Sequence, residues 1–282
     1  MNDWSSASAP ATTANLGPAF DTIALALSPR CIVRARLADV WAIAHVGPHR
    51  PADLEHDGVV AAARKAIGGR PLDIEVDNHV PLARGIGSSA AAFVAGAAAA
   101  LRAIGEEAPP DRVYRIAAEM EGHADQAASA VYGGMQLIPA EGMPIRLPFH
   151  PSLRPVVAVP DSRLPTQEAR AVLPQSYDRG VVIRSVARTS ALTAGLITGD
   201  PELLAAAHGD EIHEAPRDAM SPDVGKLIEV AKRAGALHAA RSGAGPSVVA
   251  ITTVDTVDQI AGAFREWGVD VIADPVETRG LI

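Results

Sequence analysis

The stretch Pro81-Leu82-Ala83-Arg84-Gly85-Ile86-Gly87-Ser88-Ser89-Ala90-Ala91 sets two glycines and two serines between a strand-like run and an alanine-rich helical one. Glycine lets a backbone approach an anion with no side chain in the way, and the first turn of a helix offers unpaired N–H groups at the positive end of its dipole. Phosphate is the natural ligand of such a loop. A serine-capped turn with no ligand would use some of the same residues, but the strand-to-helix position favours the anion site. A valine at Gly87 should then block nucleotide binding in a protein that still folds.

What is missing narrows the kind of phosphate site. Lys226 follows Gly225, but Leu227 stands where a P-loop needs Ser or Thr for magnesium. Gly85-x-Gly87-x-x-Ala90 fits the loose dinucleotide fingerprint, with Glu106 as the acidic residue roughly 20 positions on. Glu106, however, follows the helix-ending Gly105 and does not stand at the tip of a second parallel strand.

Three further segments carry polar groups beside turns. In Pro10 to Asp21, Asn15 and Asp21 flank a Gly17-Pro18 turn that can bring an amide and a carboxylate to one pocket, the carboxylate suited to an ammonium group. Asx side chains that only cap backbone explain the segment equally well. In Glu119 to Gln126, Glu119, Glu121, His123, Asp125 and Gln126 crowd a helix end, a composition suited to magnesium; zinc would want more His or Cys. A solvated helix end is the plainer alternative. In Ser242 to Ser247, Gly243 and Gly245 imply a close backbone approach, to a ligand or to the first glycine loop, or a tight turn into a strand.

These segments need a scaffold, and 282 residues with 48% hydrophobic side chains can supply one large domain or two smaller ones. Strand-like runs stand at Cys31 to Leu37, Val40 to His45, Leu72 to Asn78, Gln136 to Ile138, Arg154 to Val159, Ser247 to Thr252 and Val269 to Ile272. Helical periodicity marks Gly58 to Ile67, Ser89 to Ile104, Asp111 to Glu121, Val181 to Thr198, Pro201 to Gly209, Val224 to Ala234 and Thr256 to Trp267. Strands and helices do not alternate one for one, which favours α+β over a doubly wound sheet. Prolines 139, 144, 148, 151 and 155 predict a boundary, giving domains 1–150 and 151–282.

Several classes are excluded. With Cys31 as the only cysteine, no intrachain disulfide or cysteine-rich metal site forms. A net charge of -8 gives no electrostatic reason to expect nucleic acid. The longest uninterrupted apolar run, Ala90 to Leu101, is short of the roughly 20 residues a bilayer span needs. No membrane partner is expected. Met1 to Trp4 lead into no apolar stretch, so a cytoplasmic setting is expected.

The four segments, in this order, resemble the GHMP small-molecule kinases from about Pro10 to Ser247, and among them the branch that acts on homoserine. Pro10 to Asp21 matches the family's first motif, Pro81 to Ala91 its phosphate loop, Glu121-Gly122-His123-Ala124-Asp125 its metal and substrate segment, and Ser242 to Ser247 its C-terminal glycine loop. The resemblance implies a two-domain α+β fold, with an N-terminal domain like ribosomal protein S5 and a ferredoxin-like C-terminal one. It implies transfer of the γ-phosphoryl group of ATP, with Mg2+, to the side-chain hydroxyl of L-homoserine, and it leaves a homodimer open.

By the same resemblance Asn15, Asp21, His123, Asp125, Thr166, Arg170, Arg217 and Gly243 would line the amino-acid pocket, and Glu121 with Ser89 would hold magnesium. Asp125 and Arg217 are the residues nominated for catalysis, Asp125 as a base or only as an orienting group. Ala19, Ala24 and Gln126 stand where the family commonly has two glycines and an asparagine, which leaves another hydroxylated amino acid or small alcohol open as acceptor. A nicotinamide-dependent dehydrogenase would use only the Gly85 to Ala90 segment. A non-catalytic amino-acid or nucleotide sensor would keep the pockets without turnover.

Overall fold

The opening hairpin is made of residues too small, and too thoroughly covered, to show a strand period. In the computed structural model, which describes residues 3–53 and 57–282, β1 (Ser5–Asn15) pairs antiparallel with β2 (Ala19–Leu37). Every residue of β1 from Ala9 to Asn15 is buried. A strand covered on both faces has no polar side, so β1 and the first half of β2 escape an alternation search, which finds only Cys31 to Leu37. The turn between them is tight: Asn15, Leu16, Gly17 and, just beyond it, Asp21 all have positive φ.

Around β2 the sheet adds β3 (Ala42–His45), β4 (Leu72–Asn78), β5 (Met135–Leu137) and β6 (Ile145–Leu147), in the order β3-β4-β2-β5-β6 with β1 also on β2. Four helices accompany it: α1 (Gly58–Ile67), α2 (Ser88–Ala103), α3 (Pro110–Glu121) and α4 (Asp125–Tyr132). Asp57 caps α1 by accepting from the N–H groups of Val59 and Val60, an interaction whose loss costs about 1 kcal/mol. Within α2 every residue from Val94 to Leu101 is buried. Alanine gives this helix high propensity with little bulk, and at Gly96 a Cβ would lie 2.6 Å from the Val59 carbonyl of α1. α4 begins at Asp125, only four residues past the end of α3, where the sequence reads as a single helix end.

The second half holds β7 (Leu153–Val159), then α5 (Thr166–Ala171), α6 (Arg179–Thr198), α7 (Pro201–Ala206), α8 (Glu214–Arg217) and α9 (Asp223–Arg233), followed by β8 (His238–Arg241), β9 (Val248–Thr253), α10 (Val257–Glu266) and β10 (Asp270–Ile272). Its antiparallel sheet runs β10-β7-β9-β8. Strand period separates its two faces: Val156, Ala158, Val248 and Ala250 pack with Leu227 of α9 and Phe264 of α10, whereas Val157, Val159, Val249 and Ile251 join Leu192, Leu196 and Leu204 of α6 and α7 in the larger core. The chain passes between sheets within the proline-rich stretch, yet that larger core contains residues from Ala7 to Ile251. The tail also returns to the first sheet, where Ser8 and Ile282 exchange both backbone hydrogen bonds.

The short helices α5 and α8 carry no sequence period and are not among the expected elements. α7 ends at Ala206, before the expected Gly209. By length and composition α6 is the one helix among the described residues apolar enough to cross a bilayer. The hydroxyls of Thr189, Ser190, Thr193 and Thr198 are turned back onto carbonyls four residues earlier, which is how polar residues disappear from a helix surface.

Candidate active site

Asn15, Asp21, His123, Asp125, Thr166, Arg170, Arg217 and Gly243, eight residues from opposite ends of the chain, line one cavity of about 210 Å³ together with Ala83, Gly85, Gly87, Ser88 and Ser89 of the glycine loop. Three residues not singled out as ligands join them: Gln126, Leu164 and Ala244. The cavity lies where the first hairpin turn, the starts of α2 and α4, the short helices α5 and α8, and the loop before β9 meet.

The glycine loop is held from three sides. Thr12 N–H of β1 donates to the Ile86 carbonyl, Leu164 N–H to that of Ala83, and Ser247 N–H to that of Arg84, while the Ser242 hydroxyl reaches the Gly85 carbonyl at 2.8 Å. Gly87 is the N-cap of α2 with φ 68° and supplies no capping side chain, so the N–H groups of the first α2 turn lack a side-chain acceptor at the cavity wall. A Cβ on Gly87 would lie 1.9 Å from Thr12 Oγ1, and one on Gly85 would lie 2.4 Å from the Ser242 carbonyl. Valine at Gly87 therefore threatens the fold as well as the ligand, which corrects the expectation that the variant would only block nucleotide. Of the loop residues expected at the nucleotide, Ile86, Ala90 and Ala91 are fully buried, and the cavity lining does not include them. Leu82 and Pro81 face neighbouring cavities.

The first hairpin turn serves structure and pocket together. Asn15 Nδ2 donates to the Gly243 carbonyl at 2.9 Å, and Asn15 Oδ1 accepts from Asp21 N–H at 3.0 Å, so the backbone-capping alternative holds for this side chain. Asp21 is not such a cap. Its carboxylate pairs with both terminal nitrogens of Arg170, at 2.6 and 3.0 Å. Burial alone would lower the Arg170 pKa, and the hydrogen bond and charge of Asp21 outweigh it, so that the pKa is raised. Arg217 is almost wholly buried, and that burial, with the charges of Arg170 and Arg241, lowers its pKa to about 10.

Behind the loop, Glu121, His123 and Asp125 form a short charged row. His123 Nδ1 lies 2.8 Å from an Asp125 oxygen and its Nε2 lies 3.3 Å from Glu121. Burial opposes charging His123, but the hydrogen bond to Asp125 and the charges of Asp125 and Glu121 prevail and raise its pKa. Glu121 is raised by burial, against the lowering effect of the Ser89 side chain and His123. One Glu121 oxygen, Oε1, is buried without a hydrogen-bond partner. Glu119, its rival in sequence, points outward to Lys65 at 2.7 Å.

An orphaned buried carboxylate oxygen beside a serine hydroxyl fits a divalent cation. Asp21, His123 and Asp125 also place one ligand atom each within 4.8 Å of one another, but both Asp21 oxygens already pair with Arg170 and one Asp125 oxygen with His123 Nδ1. Glu106, the ribose ligand of the dinucleotide alternative, pairs with Arg112 at 2.7 Å. It follows the far end of α2, roughly 24 Å from the loop at 1.5 Å per residue.

A second cavity of about 440 Å³ touches Ser88 and Ser89 from the other side. Leu82, Val59, Phe93 and Met120 give it apolar walls, and His45 and Asp57 are its buried polar pair. A flat aromatic base attached to phosphates on the loop would find its place here.

A phosphate loop at a helix start, a charged amino-acid-sized cavity and an apolar base-sized one define a small-molecule phosphotransferase. Residues 56–134 match the model of the GHMP kinases N terminal domain and residues 192–270 that of the GHMP kinases C terminal. The homoserine kinase of Trichormus variabilis is 35% identical, covering 93% of this chain and 92% of its own length. That of Microchaete diplosiphon is 38% identical, covering 91% and 87%. The crystal structure of homoserine kinase from Cytophaga hutchinsonii superimposes with a TM-score of 0.87 at 28% identity, covering 100% of this chain and 98% of that one. The chain belongs to the GHMP kinases, in their homoserine kinase branch.

Proposed function

We propose that this protein transfers the γ-phosphoryl group of ATP to the side-chain hydroxyl of L-homoserine, giving O-phospho-L-homoserine. The observation that carries the reading is the meeting of opposite charges with an open helix N-terminus: Asp21, Arg170 and Arg217 line the same cavity as Gly87, Ser88 and Ser89. A zwitterionic amino acid needs an anion for its ammonium group and a cation for its carboxylate, and phosphate needs the N–H groups of the loop.

In this reading the start of α2 holds the β- and γ-phosphates, and the base lies in the apolar cavity beside His45. Glu121 and Ser89 would hold Mg2+, which when bound spreads the charge of the phosphates. Asp21 takes the substrate ammonium group. Arg217 and Arg170 take its carboxylate, and Asn15 and Thr166 border the carbon chain. Phosphoryl transfer passes through a loose transition state, so alignment of the hydroxyl with the γ-phosphorus supplies most of the catalysis. Asp125, with one oxygen held by His123, orients that hydroxyl and accepts its proton late.

The test is ADP release from purified protein with ATP and magnesium, with and without homoserine, then with serine, threonine and small alcohols. Release that depends on homoserine supports the assignment. ADP formation with another acceptor and none with homoserine would leave a kinase with a different substrate.

A further inference from the structure

Behind the amino-acid cavity lies a buried histidine that no step above uses. His213, at the N-cap of α8, is fully buried. Its backbone N–H is fixed by Asp210 at 2.6 Å. Its Nε2 lies 2.8 Å from the carbonyl of Gly17, in the turn between Asn15 and Asp21. Its Nδ1 lies 2.9 Å from Arg217 Nη1. The partners dictate the tautomer: a carbonyl can only accept and a guanidinium can only donate, so Nε2 carries the hydrogen and Nδ1 offers a lone pair. Arg217 Nε donates in turn to the Ala169 carbonyl at 2.8 Å, leaving Nη2 as the guanidinium nitrogen with no protein partner among the described residues. The Phe20 ring stacks on His213, centroids 5.0 Å apart, and the Arg217 guanidinium sits 5.5 Å from the centre of the same ring.

We infer that His213 is a positioning residue for the acceptor substrate, a neutral strut that fixes the Asp21-bearing turn with one nitrogen and the Arg217 guanidinium with the other. The inference rests on the proposed roles of Asp21 and Arg217. One ring thereby sets the distance between the group that receives the ammonium and the group that receives the carboxylate. Burial keeps the ring neutral, with Arg217 adding to the effect, and lowers its pKa to about 4.

Two conservative variants separate the two ends of the strut. His213→Gln places an amide N–H near the Nε2 position and loses the acceptor for Arg217. It should raise the homoserine KM about tenfold, with no penalty on 3-amino-1-propanol, which lacks the carboxylate. His213→Asn keeps an oxygen near the Nδ1 position and frees the Gly17 turn, so it should penalise both substrates. ATP affinity should stay within about twofold in both. In an Arg217→Ala background, His213→Gln should add little to the homoserine penalty. Equal penalties of the Gln variant on both substrates, or an additive double variant, would overturn the strut. If Arg217→Ala itself shows no carboxylate-specific penalty, the proposed pocket fails first, which that single variant reveals. Should the His213 variants not fold, 15N spectroscopy of labelled histidines in the wild-type protein decides. His213 should be a neutral Nε2–H tautomer whose Nδ1 signal moves with homoserine and stays still with 3-amino-1-propanol; any other tautomer or response overturns the inference.

Discussion

Asp21 and Arg170 hold each other through both carboxylate oxygens and both terminal guanidinium nitrogens, at 2.6 and 3.0 Å, across 149 residues of sequence. The pair is about one third exposed, open enough for a charged ligand to compete with it. An amino-acid zwitterion can take its place charge for charge, ammonium to Asp21 and carboxylate to Arg170, with Arg217 as the second cation.

The pairing separates the two arginines. Hydrogen bonds to charged groups contribute about 1.5 to 3 kcal/mol, so Asp21→Asn and Arg217→Ala should each lower kcat/KM for homoserine roughly tenfold to a hundredfold. With 3-amino-1-propanol, Arg217→Ala should lose its disadvantage and Asp21→Asn should keep it. Arg170→Ala should keep part of it, because Asp21 is then left without the cation that orients it. Identical behaviour of the two arginine variants on the analogue would contradict this geometry.

Glu121 is a functional residue held at a cost to stability. Burial raises its pKa, so keeping the side chain ionised in the fold costs stability. Glu121→Gln should raise the melting temperature slightly while lowering kcat about a hundredfold or more, with a higher magnesium requirement. Glu119→Gln, on the surface beside Lys65, should leave turnover near normal. A Glu121→Gln enzyme with wild-type turnover and magnesium dependence would remove this carboxylate from the metal site.

Much of the cavity was legible because glycine and Asx turns, and carboxylates crowding a helix end, are unusual in an otherwise apolar chain. That is why Asn15, Asp21, His123 and Asp125 stand out. His213 does not, since a lone histidine before Glu214-Ala215-Pro216 has no period or partner until Gly17 and Arg217 are folded against it. The packing role of Gly87 is hidden in the sequence for the same reason: its tightest neighbour, Thr12, lies 75 residues earlier. β1 was hidden by burial on both faces, and α4 by the closeness of α3.

Base selection should reside in His45. Its Nε2 lies 2.7 Å from an Asp57 oxygen. A carboxylate only accepts, so Nε2 carries the hydrogen, and Nδ1, buried and without a partner, is an acceptor in the neutral ring. An adenine amino group can donate to it, whereas guanine offers an oxygen at the corresponding position. The enzyme should prefer ATP to GTP, and His45→Leu should reduce kcat/KM for ATP several-fold to tenfold with little change for GTP. Parallel losses for both nucleotides would show that His45 supports the cavity without reading the base.

Two buried histidines should weaken the fold in acid. Burial lowers His213 and His238 each to about 4, below the ordinary 6.5, so between about pH 4 and 6.5 the unfolded chain binds protons that the folded one excludes. Stability then rises with pH across that window. Glu214, raised by burial to about 7, and Glu121, also raised by burial, act in the opposite direction, whereas His49 and His208, lowered by burial like His213 and His238, add to the effect. His238→Gln keeps a donor for the Leu16 carbonyl, which His238 Nε2 now meets at 2.8 Å. It should flatten the dependence of melting temperature on pH between 4 and 6.5. Parallel wild-type and variant curves would place the acid sensitivity elsewhere.

The most direct measurement is 31P NMR of the protein with ATP, magnesium and L-homoserine. The account predicts one new phosphomonoester resonance, coupled to the methylene protons beside the side-chain oxygen and growing in equal amount with ADP. Loss of ATP to ADP and inorganic phosphate alone, or no change in the ATP signals at protein concentrations that saturate with homoserine, would contradict it.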